Sequence, residues 1–216
     1  MRFAHFYRQS RPARRRPLCR GALLGLAVMC GILLASLPVA GQGLTRTHVG
    51  IGYVANAPDV MVGGAAYVVW PAWGGIGVYV DAKFPGGTPA GSRDFEAGLT
   101  PADVEGQVAG AEFRREESSW QTFSVALIRP LKSSLMVYGG LGHYKRTEYW
   151  LYEANPSVDL GRAGVFWVES PLDEESGISA NVGLLMRLSP LVGTQFGLES
   201  NPRGFTAGVS LRLPPW

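Results

Sequence analysis

From residue 44 to the C-terminus, apolar and polar residues alternate with a period of two, in segments of about ten residues. The clearest segment is 178–188. Ile178, Ala180, Val182, Leu184, Met186 and Leu188 share one face, and Ser179, Asn181, Gly183, Leu185 and Arg187 share the other. The last segment repeats this, with Phe205, Ala207, Val209, Leu211 and Leu213 set against Gly204, Thr206, Gly208, Ser210 and Arg212. Successive side chains of a strand point to opposite faces, so each segment predicts a strand with one apolar face. Eight strands are predicted, near 44–54, 61–70, 74–84, 119–129, 134–152, 177–188, 192–199 and 203–213. No long segment carries helical periodicity, and no repeat or linker divides residues 41–216.

The connections alternate in length. Short turns fall at Pro71-Ala72-Trp73, between Pro130 and Ser133, and at Ser189-Pro190-Leu191. Longer links cover 55–60, 85–118 and 153–176, with a tight turn near Asn201-Pro202. Strands of about ten residues are long enough to cross a bilayer when tilted, and an even, closed set leaves no unpaired edge in lipid. The polar face is built largely from small residues, including Gly50, Gly52, Gly75, Gly77, Thr122, Ser124, Gly193 and Gly197. A soluble sandwich would pack bulky residues inward and turn charges outward. The reverse arrangement predicts an all-β fold, an eight-stranded antiparallel up-and-down transmembrane β-barrel. Trp70 and Trp73 flank the first short turn, with Trp216 expected near the same level. Trp120, Tyr149, Trp150 and Tyr152 gather toward the longer links. Two interfacial aromatic belts would place rings in this way.

Residues 1–40 stand apart. Seven arginines precede an uncharged run from Gly21 to Ala40, the layout of a signal peptide cleaved near Ala40 and Gly41. A retained anchor is the alternative; the Gly/Ala spacing and Pro38 favour cleavage. Met29 before Cys30 excludes a lipoprotein signal. This leader changes the charge balance. The whole chain is formally +3, but the part after residue 40 carries 13 bases against 17 acids, a net charge of −4, and no cysteine. Nucleic-acid binding leaves with the basic leader. An apolar content of 46% excludes a disordered chain, and two cysteines exclude a disulfide scaffold.

The leader, the alternating strands, the core Tyr138-Gly139-Gly140-Leu141-Gly142 and the aromatic C-terminus together resemble the small eight-stranded outer-membrane barrels of Gram-negative-type bacteria. The resemblance covers essentially all of residues 41–216 and is one of architecture more than of motif. It differs at the end, where Pro214-Pro215 sets Trp216 out of phase with the apolar face. It implies a bacterial outer-membrane location, contact with outer-membrane lipids and lipopolysaccharide, and insertion by the barrel assembly machinery, most simply as a monomer.

If the polar face lines the lumen, Arg46, His48, Asp81, Lys83, Arg187, Glu199 and Arg212 point inward together with Tyr79. Unpaired charges in a narrow lumen are costly, so an ion-pair network that plugs the barrel is expected. A polar conduit is the functional alternative. His143, in Gly142-His-Tyr-Lys-Arg146, invites comparison with barrel enzymes that deacylate lipid A. No serine stands beside it, and Ser179 and Asp81 are the remaining partners to consider. No GxSxG, HExxH, CxxC or phosphate-binding glycine loop occurs, and no cofactor or metal is expected. Thr100-Pro101-Ala102-Asp103 predicts a short helix over 100–109 in an extracellular loop, capped by Thr100. The fifth strand is too long for the bilayer alone and is expected to continue above it, pairing with 163–169 before Pro171. The links 85–118 and 153–177 are acidic, at −4 and −5. The first expectation is a non-enzymatic barrel acting in envelope structure or in surface recognition through its loops. A lipid-modifying enzyme acting on lipid A or phospholipid, and a narrow pore or a conduit for small hydrophobic molecules, would be the alternatives.

Overall fold

The computed structural model describes residues 46–57, 59–107, 110–154 and 164–213. The leader at 1–40, Arg162 and Trp216 lie outside them. The eight strands are β1 (His48–Ala57), β2 (Met61–Val69), β3 (Gly77–Pro85), β4 (Glu112–Lys132), β5 (Leu135–Ala154), β6 (Gly164–Arg187), β7 (Val192–Ser200) and β8 (Arg203–Leu213). Each pairs antiparallel with its sequence neighbour, and β8 returns to β1, with Val49 opposite Leu213, to close the ring. The barrel is therefore all-antiparallel and up-and-down. A sheet closed in this way has no free edge around its circumference.

The two surfaces of the wall differ as the alternation requires. Outward positions carry Ile51, Tyr53, Phe84, Phe123, Val125, Leu127, Leu141, Ile178, Leu184, Phe196, Val209 and Leu211, all exposed. Inward positions are buried and polar or small, among them Asn56, Asp81, Lys83, Thr122, Ser124, Ser179, Asn181, Gln195, Glu199, Thr206 and Ser210. A belt of exposed large apolar residues around a polar interior suits a protein solvated by lipid hydrocarbon.

At one end lie both ends of the described barrel and the turns after β2, β4 and β6. At the other, β4, β5 and β6 rise well past their neighbours. This extension corrects two expectations. β4 begins at Glu112 rather than 119, and β6 is one strand of 24 residues rather than separate segments at 163–169 and 177–188. Its upper part, Gly164–Ser170, pairs with Glu148–Ala154, as expected for the long fifth strand. Pro171 does not end the strand. The register shifts between Arg146 and Glu148, and the extra β6 residues bulge outward there.

The segment between β3 and β4 folds back over the extension. Asp94 and Glu96 exchange backbone hydrogen bonds with Trp167 of β6. Helix α1 (Pro101–Gln107) then drops Val104, fully buried, onto Tyr152, Ala154, Phe166 and Val168. A helix of seven residues does not persist on its own in water, so this docking and the cap sustain it. The cap is reciprocal. Thr100 donates through its hydroxyl (2.6 Å) and its N–H (2.9 Å) to Asp103, while the Asp103 N–H donates back to Thr100 Oγ1 at 3.3 Å.

Candidate functional site

The lumen is crossed by side chains from opposite strands, toward the long-loop ends of β1, β3 and β7. Lys83 projects from β3, and its Nζ lies 2.5 Å from Asp81 Oδ1 and 2.7 Å from Glu199 Oε1 on β7. In a ring of eight, β3 and β7 face each other, so this ion pair spans the interior. Asn56 of β1 donates its amide to Glu199, and Asn181 of β6 donates to Asp81 at 3.4 Å. All five side chains are buried. Their charges would be prohibitive here singly, and pairing with donors on the remaining oxygens is what makes them tolerable.

One layer below, nearer the short turns, Tyr79 of β3 stacks on Tyr138 of β5, with centroids 4.3 Å apart and planes at 18°. Gln195 of β7 donates to the Tyr79 hydroxyl at 3.2 Å, again across the full width. The glycines of the inner face give these rings room. A Cβ at Gly197 would lie 2.4 Å from the Tyr138 hydroxyl, and one at Gly50 would lie 2.3 Å from the Tyr67 ring. Glycine on one strand and tyrosine on another thus fill the section together, as side chains do in barrels of this width.

The expected single network is divided. Asp81, Lys83 and Glu199 come together toward the long-loop ends of β3 and β7. Arg212 instead donates to His48 Nδ1 at 2.6 Å, near the end with the short turns. Arg46 and Arg187 are exposed; Arg187 donates to the Ser189 carbonyl at 3.2 Å. Both arginines sit at the end with the short turns, where water solvates the guanidinium and no internal partner is required. Asn56, Asn181 and Gln195 belong to the cross-lumen contacts and were absent from the expected charges. Their signal was present in the sequence, because each shares the inward parity of its strand.

The aromatic belts also need correction. Trp70 and Trp73 do pack together at the first short turn, with centroids 4.7 Å apart, and Trp73 is 61% exposed. Trp120 points inward, in phase with Thr122 and Ser124. Its ring lies 5.5 Å from that of Tyr144, under the Arg146 guanidinium. Tyr149 is buried against Phe95, and Trp150 packs beside the Val104 cluster. Because β4 and β5 continue past the bilayer, these positions belong to the mouth and the extension. Exposed rings toward that end include Phe84, Phe123 and Phe205.

At the mouth, Arg146 contacts Glu148 and donates to Ser118 at 2.9 Å, and Tyr144 donates to Glu175 at 2.7 Å. Burial holds the Glu148 carboxyl above its usual range, although Arg146 opposes this. His143 is exposed on the outer surface, with Phe123 and Ile178 as its strand neighbours. Ser179 and Asp81 face the lumen, so they stand on the opposite side of the wall from His143. Among the described residues, no group of three or more His, Cys, Asp or Glu side chains is placed to hold a metal ion.

No family model and no curated protein matches the chain. Among solved structures it is similar to the attachment invasion locus protein Ail of Yersinia pestis, at 12% identity and a TM-score of 0.41, over 78% of this chain and 98% of that one. A major outer membrane protein from Thermus thermophilus is similar at 13% identity and 0.45, over 78% of this chain and 100% of that one. The N-terminal β-barrel domain of Pseudomonas aeruginosa OprF is similar at 8% identity and 0.38, over 78% and 98%. The chain described here is a closed, eight-stranded, antiparallel up-and-down β-barrel.

Proposed function

We propose that this barrel resides in the bacterial outer membrane as a non-enzymatic protein with a closed lumen. It acts on the outer side through the β4–β5–β6 extension and the segment folded over it, in envelope structure or surface recognition. The observation that carries the closed lumen is the Lys83–Glu199 ion pair between opposite strands, with the Tyr79–Tyr138 stack and the Gln195 hydrogen bond one layer below. Eight strands enclose a space that side chains can fill, and here they meet across it at two heights. The surface role is supported by where the chain invests its structure. Beyond the bilayer, three strands continue paired across two register shifts, and a cluster of Val104, Tyr152, Phe166 and Val168 fixes the covering segment. Outer-membrane lipids and lipopolysaccharide would surround the apolar belt. A lipid hydrolase gains no support from His143, whose strand neighbours are apolar and whose candidate serine faces the other way.

The test is reconstitution in a planar bilayer. A closed lumen gives no stable single-channel steps, and discrete reproducible conductance would overturn it. Heat-modifiable gel mobility and recovery in the outer-membrane fraction are expected; recovery as a soluble periplasmic protein would overturn the membrane assignment.

A further inference from the structure

We propose that the short-turn end of the barrel is a docking surface for an acidic peptide segment of a periplasmic partner, formed by Lys132, Arg187, Arg212, His48 and Arg46. Charge is segregated along the barrel. The segments at that end, 46–52, 67–79, 126–138, 185–195 and 210–213, hold Arg46, Arg129, Lys132, Arg187 and Arg212 but no Asp or Glu. The remainder of residues 41–216 holds eight bases and seventeen acids. Like charges gathered without a counter-charge repel one another, and an anionic partner relieves that repulsion.

These bases form one arc. The Arg187 N–H donates to the Ser134 carbonyl at 2.8 Å, which places it beside the turn that carries Lys132. The Arg212 N–H donates to the Leu191 carbonyl at 2.8 Å, on the turn that follows Arg187. The Arg212 guanidinium reaches His48 Nδ1 at 2.6 Å, and Arg46 stands two residues before His48. The arc therefore runs from the β4–β5 turn, past the β6–β7 turn and β8, to the start of β1. Arg46, Lys132 and Arg187 are exposed, and Arg212 is buried beside His48.

Lipid phosphates lie at the same height, but the direction of the side chains favours a soluble partner. Arg187 shares the inward parity of Ser179, Asn181 and Leu185, and Arg212 that of Thr206 and Ser210, all of them buried. The arc thus borders the lumen mouth and the water beneath it, not the hydrocarbon. Tyr79, Tyr138 and Gln195 fill the section above, so the partner docks on the rim without threading the barrel. An extended acidic segment meets the exposed bases in turn, each contact contributing as a surface ion pair. The periplasmic address rests on the outer-membrane reading, with short turns inward, which fractionation and surface proteolysis of the β4–β5–β6 extension test separately. Binding itself is measured without reference to that orientation.

The experiment uses barrel purified from outer membranes, with its mass checked for loss of the arginine-rich leader, in phosphatidylcholine nanodiscs open to solution at both ends. The probe is a short fluorescein-labelled poly-L-glutamate. Its anisotropy should show saturable binding that weakens with added salt. Arg46→Gln, Lys132→Gln and Arg187→Gln together should weaken binding about tenfold, the combined effect of three surface ion pairs. Arg93→Gln, Arg114→Gln and Arg115→Gln together, at the other end, should leave it unchanged. Should the first triple variant not fold, carbodiimide coupling of the probe to the wild-type barrel reads the same surface. The chain has three lysines, Lys83, Lys132 and Lys145, of which Lys83 is buried, and coupling is expected at Lys132. Coupling at Lys145 instead, or equal binding by the wild type and the first triple variant, would overturn the proposal. So would absence of binding; a thermal midpoint that then rises in phosphatidylglycerol discs only while the three bases are present would assign the arc to lipid phosphates.

Discussion

Lys83 and Glu199 meet at 2.7 Å from strands on opposite sides of the ring, with side chains 1% and 0% exposed. The pair works less as a source of net stability than as a constraint, because two desolvated charges must find each other or the fold is heavily destabilised. Lys83→Met should therefore leave Asp81 and Glu199 facing one another unneutralised and cost about 3–5 kcal/mol. Urea unfolding in lipid vesicles, followed by gel mobility, measures this. A loss below about 1 kcal/mol, the range of an exposed pair, would show that water reaches the cluster.

Tyr138 and Gly197 make a second cross-strand fit, with the tyrosine hydroxyl 2.4 Å from where a Cβ would stand. Gly197→Ala forces the ring aside and should destabilise the barrel by about 1–3 kcal/mol. The contacting atom is the hydroxyl, so Tyr138→Phe should relieve part of that cost. The double variant is then expected to be more stable than the two single losses added together, by about 0.5 kcal/mol or more. Strict additivity would mean that Thr206, which also crowds Gly197, sets the limit instead.

The outer surface can be probed by depth. Val125 lies outward beside Leu141, whose other neighbour is Ala180, well inside the apolar belt. Gln121 lies two outward positions nearer the mouth, beside Lys145. Val125→Arg should cost about 2–4 kcal/mol in a bilayer, and Gln121→Arg about 0–1. Equal costs at the two sites would place the hydrocarbon boundary elsewhere on β4.

How much was legible in the sequence follows from the media that each residue meets. Between Ile178 and Leu188, lipid lies on one side and a packed lumen on the other, so alternation is enforced and the strand is plain. Between Glu112 and Glu117, every residue is exposed. Alternation vanishes there, and six strand residues read as an acidic loop. Trp120 was legible in part, since its parity matches Thr122 and Ser124, but its place among aromatics suggested a lipid interface. The inward charges could be named, whereas their partners could not. Whether Arg212 meets Glu199 or His48 depends on the stagger between strands, which no single strand encodes.

The cap of α1 carries a pH dependence. Hydrogen bonds from the Thr100 side chain and backbone hold the Asp103 carboxyl below its usual range. A carboxyl whose folded value is depressed contributes above its unfolded value, and that contribution is lost as pH falls through the folded value. Amide exchange protection over residues 102–107, corrected for intrinsic rates, should therefore be full at neutral pH and decline on acidification below the ordinary aspartate range. Asp103→Asn keeps an acceptor but cannot titrate, so its protection should start lower and stay flat over that interval. Thr100→Val removes the hydroxyl and should weaken the pH response without reversing it, because the backbone N–H remains. A wild-type profile as flat as that of Asp103→Asn would mean that Val104, docked against Tyr152 and Phe166, holds the helix without help from its cap.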